Sequence, residues 1–180
     1  MTTHQEIIIS GFGGQGILSA GRILAYAGML EGRHVSWLPS YGPEMRGGTA
    51  NCHVIISDEP VGSPILNSAT TLIVMNGPSL DKFEKVVVPG GLVLIDSSLV
   101  SKKPVRTDFE TYQIPATMMA SDKGNLTYAN IILLGKLIAK TNIVSKENFI
   151  EALKHILPER KHYMIPEEIE ALEAGMKYEE

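Results

Sequence analysis

Two glycine-rich segments hold the residues of this chain best suited to chemistry. The first, Gly11-Phe12-Gly13-Gly14-Gln15-Gly16, satisfies Gly-x-Gly-x-x-Gly directly after the β-branched run Ile7-Ile8-Ile9. Between a strand and a helix, such a turn places bare helix-end N–H groups and the positive end of the helix dipole where a phosphate can sit. Two readings stay open: the turn holds a phosphate or pyrophosphate, or its glycines only permit tight strand-to-helix turning. Gln15 offers an amide donor and acceptor to either reading. A dinucleotide site also wants an acidic residue roughly 20 positions further on to bind the ribose hydroxyls. Here the next strand ends Ser36-Trp37-Leu38-Pro39, without an acid. The candidate binding residues of this turn are Gly13, Gly14, Gln15 and Gly16.

The second segment is Pro39-Ser40-Tyr41-Gly42-Pro43-Glu44-Met45-Arg46-Gly47-Gly48-Thr49-Ala50. Its Pro and Gly content predicts a rigid loop with exposed backbone between two apolar segments. Arg46 could clasp a phosphate or carboxylate in a bidentate fork, or pair with Glu44 or with a partner's acid. The favoured role of the two is interface or structural. Gly47 and Gly48 leave backbone amides accessible beside it, and Arg46, Gly47 and Gly48 complete the candidate binding set.

Other reactive residue types lack the company that catalysis requires. Ser79-Leu80-Asp81-Lys82 matches Ser-x-x-Lys by chance, on an expected surface helix, with no Lys-Thr-Gly or Ser-Asp-Asn elsewhere. No Gly-x-Ser-x-Gly elbow occurs. Cys52 and His53 are neighbours on an expected strand and so point to opposite faces, which leaves Cys52 as a small core residue. Asp96, at a strand end, stands at the usual ligand edge of an open α/β sheet, where an Asp also commonly caps the next turn. The five histidines are scattered without metal-ligand spacing. No catalytic or metal-binding residue is therefore assigned.

Composition narrows the function further. The chain has 180 residues, 44% of them hydrophobic, which suits one domain with a full core. Its 16 basic and 20 acidic residues give a net charge of −4, without basic blocks, against nucleic acid as a partner. A single cysteine rules out an intrachain disulfide and any iron–sulfur cluster held by several cysteines of this chain alone. Neither a signal peptide nor a run of roughly 20 apolar residues is visible. The expectation is a soluble, cytoplasmic protein without a membrane partner, in which the Asn125-Leu126-Thr127 sequon is a chance match.

Periodicity supplies the elements that must position the loops. Ile7 to Ile9 predicts a strand, Ile17 to Leu30 a buried helix ending near Gly32, and His34 to Leu38 a second strand stopping at Pro39. Strands are also expected over Asn51–Ser57, Thr71–Asn76, Leu92–Asp96 and Tyr112–Pro115, with a helical segment from Pro78 to Lys85. Runs apolar on both faces suit a doubly covered parallel sheet. Helices are expected from Asn125 to Lys140, with Leu126 on its buried face, from Ser145 as N-cap to about Leu157, and from Pro166 through Glu173 with Gly175 as cap. The predicted fold is α/β: a single three-layer α/β/α domain over residues 1–180, Rossmann-like, with a mainly parallel central sheet and the C-terminal helices packed on the same domain.

Ile9-Ser10-Gly11-Phe12-Gly13-Gly14-Gln15-Gly16-Ile17, the Pro39 to Ala50 loop, Met75-Asn76-Gly77-Pro78-Ser79-Leu80 and Pro89-Gly90-Gly91 together resemble the gamma subunit of 2-oxoacid:ferredoxin oxidoreductases. The resemblance runs from about Glu6 to Met176, and the Glu-Met-Arg-Gly-Gly loop is its most specific part. It implies a thiamine-diphosphate-dependent complex that decarboxylates a 2-oxoacid, passes electrons through iron–sulfur clusters to ferredoxin and yields acyl-coenzyme A, as in anaerobic metabolism. Thiamine diphosphate, its magnesium and the clusters would lie on alpha, beta and ferredoxin-like delta partners, and the present chain would be structural, with coenzyme A as a possible shared ligand. The loop spelling resembles the 2-oxoglutarate and branched-chain (ketoisovalerate) enzymes more than the pyruvate ones. The family often shows an Asn ahead of an Ala-x-x-x-Gly pattern, and Glu168 occupies that place before Ala171 and Gly175. A stand-alone NAD-binding oxidoreductase and a ligand-free interaction module are the alternatives.

Overall fold

The computed structural model describes residues 3–41 and 49–180. The strands are β1 (His4–Phe12), β2 (His34–Tyr41), β3 (Thr49–Ser57), β4 (Ala69–Val74), β5 (Val87–Asp96) and β6 (Glu110–Ile114). The helices are α1 (Ile17–Leu30), α2 (Gly77–Phe83), α3 (Ala116–Asp122), α4 (Tyr128–Thr141), α5 (Lys146–Ile156) and α6 (Ile165–Lys177). All six strands join one sheet in the order β2-β3-β1-β4-β5-β6. β1, β4, β5 and β6 pair in parallel, whereas β3 runs antiparallel to both of its neighbours, β1 and β2. The mainly parallel expectation holds, with β3 as the single reversed strand.

Alternation along the central strands divides the core in two. Ile7 and Ile9 of β1, Ile73 of β4 and Leu94 of β5 pack toward α1, α4 and α5. Ile8, Leu72, Val93 and Ile95 face the other way, against Leu80, Phe83, Val100 and Phe109. The two outer layers are unequal. The first is built of long helices, while the second consists of the seven-residue α2 and irregular stretches around it. The reason is composition: Pro60, Gly62, Ser63 and Pro64 in residues 58–68, and Ser97, Ser98, Ser101 and Pro104 in residues 97–109, interrupt any helix.

Local chemistry moves several boundaries. β2 continues past Pro39 to Tyr41, with Pro39 opposite Cys52. β2 is an edge strand, and there a residue without an N–H costs no ladder bond on the solvent side. α4 begins at Tyr128, three residues later than its pattern suggests, because the Asn125 side-chain carbonyl accepts bonds from Thr127 N at 3.0 Å and Thr127 Oγ1 at 2.7 Å. This competing turn leaves Leu126 outside the helix and 61% exposed, not buried as its spacing implied. α5 starts as expected, with Ser145 Oγ accepting from Asn148 N at 3.2 Å. α3 follows Pro115 and is too short to carry a periodic signal.

Gly175 does not cap α6. The helix runs on to Lys177, and Gly175 faces α4, where an added Cβ would lie 1.8 Å from the Ile132 carbonyl oxygen. Gly135 of α4 is its counterpart, with the Leu172 carbonyl oxygen 2.1 Å from where its Cβ would be. The two glycines let the helix backbones touch, and that contact presses α6 and its Glu168 close to α4.

Candidate functional site

The glycine turn lies where β1 hands over to α1 and is braced from three sides. Phe12 N donates to Gln15 Oε1 at 2.6 Å, Gln15 Nε2 donates to the Met75 carbonyl at 3.2 Å, and Asn130 Nδ2 of α4 donates to the Gln15 carbonyl at 2.9 Å. Gln15 thus uses both ends of its amide to tie the turn to β1 and to the end of β4. Gly14 and Gly16 adopt φ of 92° and 75°, the left-handed region that glycine enters without strain. They differ in surroundings. A Cβ on Gly16 would meet Asn130 Nδ2 at 2.5 Å, whereas nothing lies within 4 Å of one on Gly14. No side chain caps α1, so the first-turn N–H groups behind Gly14 and Gly16 lack a capping partner.

A cavity of about 380 Å³ opens in front of this turn. Gly13, Gly14 and Gly16 line it from the turn, Asn130 of α4 lines it where it packs on Gly16, Glu168 lines it from α6, and Lys161 lines it from the 3-10 turn Glu159–Met164. Phe12, Ile17, Ile131 and Met164 supply apolar lining. Glu168 is only 6% exposed, and its Oε2 has no hydrogen-bond partner among the described residues. Burial pushes its carboxyl up to about 7, against the opposing pull of the Lys161 ammonium. One wall of backbone N–H groups, one cation and one poorly solvated acid make a site suited to a ligand carrying both anionic and hydrogen-bonding groups.

The second glycine-rich segment is anchored at the same end of the sheet. Thr49 and Ala50 of β3 pair with Phe12 and Gly11, and Ala50 lines the cavity. Arg46, Gly47 and Gly48 themselves lie outside the described residues. The insertion of β3 between β1 and β2 also bears on the dinucleotide alternative. The end of β2, where a ribose-binding acid would stand in such a fold, is displaced by a whole strand from the glycine turn.

The remaining candidates resolve into structural roles. Cys52 is fully buried, and burial raises its thiol to about 12, so a thiolate nucleophile is out of reach near neutrality. His53 points to the other face of β3 and accepts a bond from Leu66 N at 3.3 Å. Ser79 corrects the surface-helix expectation: it is buried, with its Oγ 2.7 Å from Ser10 Oγ, while Lys82 is exposed. Asp96 accepts from Ser98 N at 3.1 Å, Thr117 N at 3.2 Å and Thr117 Oγ1 at 2.5 Å, which makes it a cap for the following turn and for α3.

Asn130 and Lys161 escaped the sequence reading. Asn130 does leave a trace, a lone amide inside the apolar run Tyr128–Ile138. Lys161 and Glu168 sit in charged stretches, Glu159-Arg160-Lys161 and Glu167-Glu168, that look like solvated surface.

Among known proteins, the ketoisovalerate oxidoreductase subunit VorA of Methanothermobacter thermautotrophicus is 42% identical over 174 residues, covering 96% of this chain and 36% of that protein. The chain therefore spans about a third of the length of that relative. The 2-oxoglutarate synthase subunit KorC of Methanocaldococcus jannaschii is 42% identical over 158 residues, covering 86% of this chain and 84% of that protein. Of solved structures, the keto/oxoacid ferredoxin oxidoreductase gamma subunit of Geobacter sulfurreducens matches with a TM-score of 0.81 at 33% identity, over 96% of both chains. The fold also recurs, at a TM-score of 0.86 and 22% identity over 97% of this chain and 31% of the other, in the 2-oxoglutarate:ferredoxin oxidoreductase of Magnetococcus marinus, solved with 2-oxoglutarate, coenzyme A and succinyl-CoA bound. Residues 6–178 match the pyruvate ferredoxin/flavodoxin oxidoreductase family, and with the sheet order and glycine turn described above, the chain belongs to that family.

Proposed function

We propose that residues 1–180 form the gamma domain of a cytoplasmic, thiamine-diphosphate-dependent 2-oxoacid:ferredoxin oxidoreductase, which converts 2-oxoglutarate or 2-ketoisovalerate to the acyl-coenzyme A and reduces ferredoxin. Alpha, beta and ferredoxin-like delta partners carry thiamine diphosphate, magnesium and the iron–sulfur clusters. This chain packs on them and contributes a wall for coenzyme A. Its one cysteine, buried in the core, fits that division of labour. No helix among the described residues is long and apolar enough to cross a membrane.

The observation that carries the ligand role is the contrast between Gly14 and Gly16. Gly16 is packed against Asn130, yet Gly14 faces open space at the cavity with the uncapped start of α1 behind it. In this reading the amides of Gly13, Gly14 and Gly16 receive a phosphate of coenzyme A, while the Gln15 amide closes the turn onto the Phe12 carbonyl. Gln15 holds the shape of the turn, and Arg46, Gly47 and Gly48 complete the proposed binding set. The cavity, at the low end of the range for small-molecule sites, takes part of such a ligand.

Gly14→Val tests this in the native complex. The expected result is coenzyme A binding weakened at least tenfold, about 1.4 kcal/mol or more. Gly32→Val is the matched control: Gly32 has a comparable φ of 78° and open surroundings but lies beyond the other end of α1. Equal binding by both variants and the wild type would refute the ligand role. Assaying the same complex with 2-oxoglutarate, 2-ketoisovalerate and pyruvate assigns the substrate, and preference for pyruvate would count against the reading of the loop.

A further inference from the structure

Among the described residues, Glu168 is the buried acid left with an unpartnered oxygen. It stands on α6 in the wall of the cavity that the glycine turn also lines, 6% exposed, with Oε2 bonded to nothing among the described residues. A buried polar atom in that condition costs stability unless something else completes it. The close backbone contact at Gly135 and Gly175 holds α6 against α4 and so places the Glu168 backbone beside the cavity.

We propose that Glu168 is a ligand-selecting residue of the cleft, which in its protonated form donates its O–H to an oxygen acceptor of a phosphorylated ligand whose anionic group rests on the glycine turn, so that capture of the ligand takes up a proton. This rests on the coenzyme A reading above and deepens it. A carboxylate placed beside a phosphate would be repelled, whereas a neutral carboxylic acid offers a donor at the same spot without a charge. The acid is already poised for the change, because burial brings its titration to about 7.

Among the described residues, the charged and titratable groups around it are few. From the 3-10 turn the Lys161 ammonium favours the ionised form. On its own helix the neighbouring Glu167 accepts a bond from the Tyr128 hydroxyl of α4, and that hydroxyl is raised to about 12, outside the range in which Glu168 changes. On the glycine-turn side, residues 11–19 contain no titratable side chain. A bound phosphate adds negative charge to this setting and drives the proton onto Glu168.

Calorimetry of the native complex, and of the full chain in parallel, with coenzyme A from pH 6 to pH 8.5 in buffers of differing ionisation enthalpy tests the proposal. Wild-type affinity is expected to fall roughly tenfold across the upper half of this range, with about one proton taken up per ligand at pH 8. Glu168→Gln, a neutral amide of the same shape, is expected to bind with no proton uptake at pH 8. It should keep only the shallow pH dependence of the ligand's own phosphate, which titrates near 6. Identical pH profiles and proton counts in the wild type and Glu168→Gln, with binding still sensitive to Gly14→Val, would overturn the role of Glu168 alone. No coenzyme A binding by the wild type at any pH would overturn the ligand reading and this inference with it.

Discussion

Asp96, at the end of β5, and Glu168, on α6, are both buried acids, and they have opposite fates. Asp96, with no exposed surface, receives two backbone N–H bonds and one hydroxyl bond from the turn after β5 and the start of α3. Glu168, nearly as buried, keeps one oxygen without a donor among the described residues. What separates them is the supply of donors, not depth. A carboxylate whose lone pairs are filled by its own chain is part of the architecture, while one left short, beside a cavity, is available to a ligand.

The largest expected effect comes from removing the satisfied acid. Asp96→Ala orphans two N–H groups and the Thr117 hydroxyl and should cost about 3 kcal/mol, or roughly 6–12 °C in Tm for a chain of this size. Denaturant midpoints check it. A loss below about 1 kcal/mol would mean that water replaces the carboxylate, and the contrast with Glu168 would collapse.

The next effect is of opposite sign. The Glu168 carboxyl titrates at 4.5 in an unperturbed setting and near 7 in the folded chain. The folded state therefore binds more protons than the unfolded chain between these values, and this group's contribution to stability falls as pH rises from about 4.5 to 7, then levels off. Glu168→Gln should remove that slope and make the ligand-free chain more stable than wild type at pH 8 by about 2 kcal/mol, with the two converging near pH 5. Parallel stability curves for the two proteins would place Glu168 in the same class as Asp96.

The smallest effect sharpens the mechanism. Lys161→Met takes away the cation that opposes protonation, so the break in the stability curve should move to higher pH while the curve at pH 5 stays where it was. A break that moves down, or does not move, would show that Lys161 turns its charge elsewhere.

Much of the fold was legible before any coordinates. The β-branched runs of β1 and β4, the Ala- and Gly-rich α1, and the Ser145 cap of α5 carry signals that act over a few residues, and each formed close to where it was expected, whereas β5 begins at Val87, five residues ahead of its expected start at Leu92. The misreadings arose where local chemistry competes: Pro39 is harmless on an edge strand, Asn125 diverts the start of α4, and Gly175 serves packing instead of termination. Of the candidate site, the glycine turn was readable because left-handed backbone leaves a mark in residue type.

The sequence by itself determined the α/β class, the turn poised at the start of α1 and, through the spelling of two loops, the resemblance to an oxidoreductase subunit. Only the tertiary structure decided that β3 lies between β1 and β2, so that the end of β2 stands away from the glycine turn. It alone brought Asn130 onto Gln15 across 115 residues of chain, and Glu168 into the same cavity wall. The physical reason is range. Propensity and periodicity are properties of neighbours in sequence, whereas sheet order and the backbone contact of α4 with α6 depend on which distant surfaces close without a void, and an acid in a charged stretch becomes a buried one only after that closure.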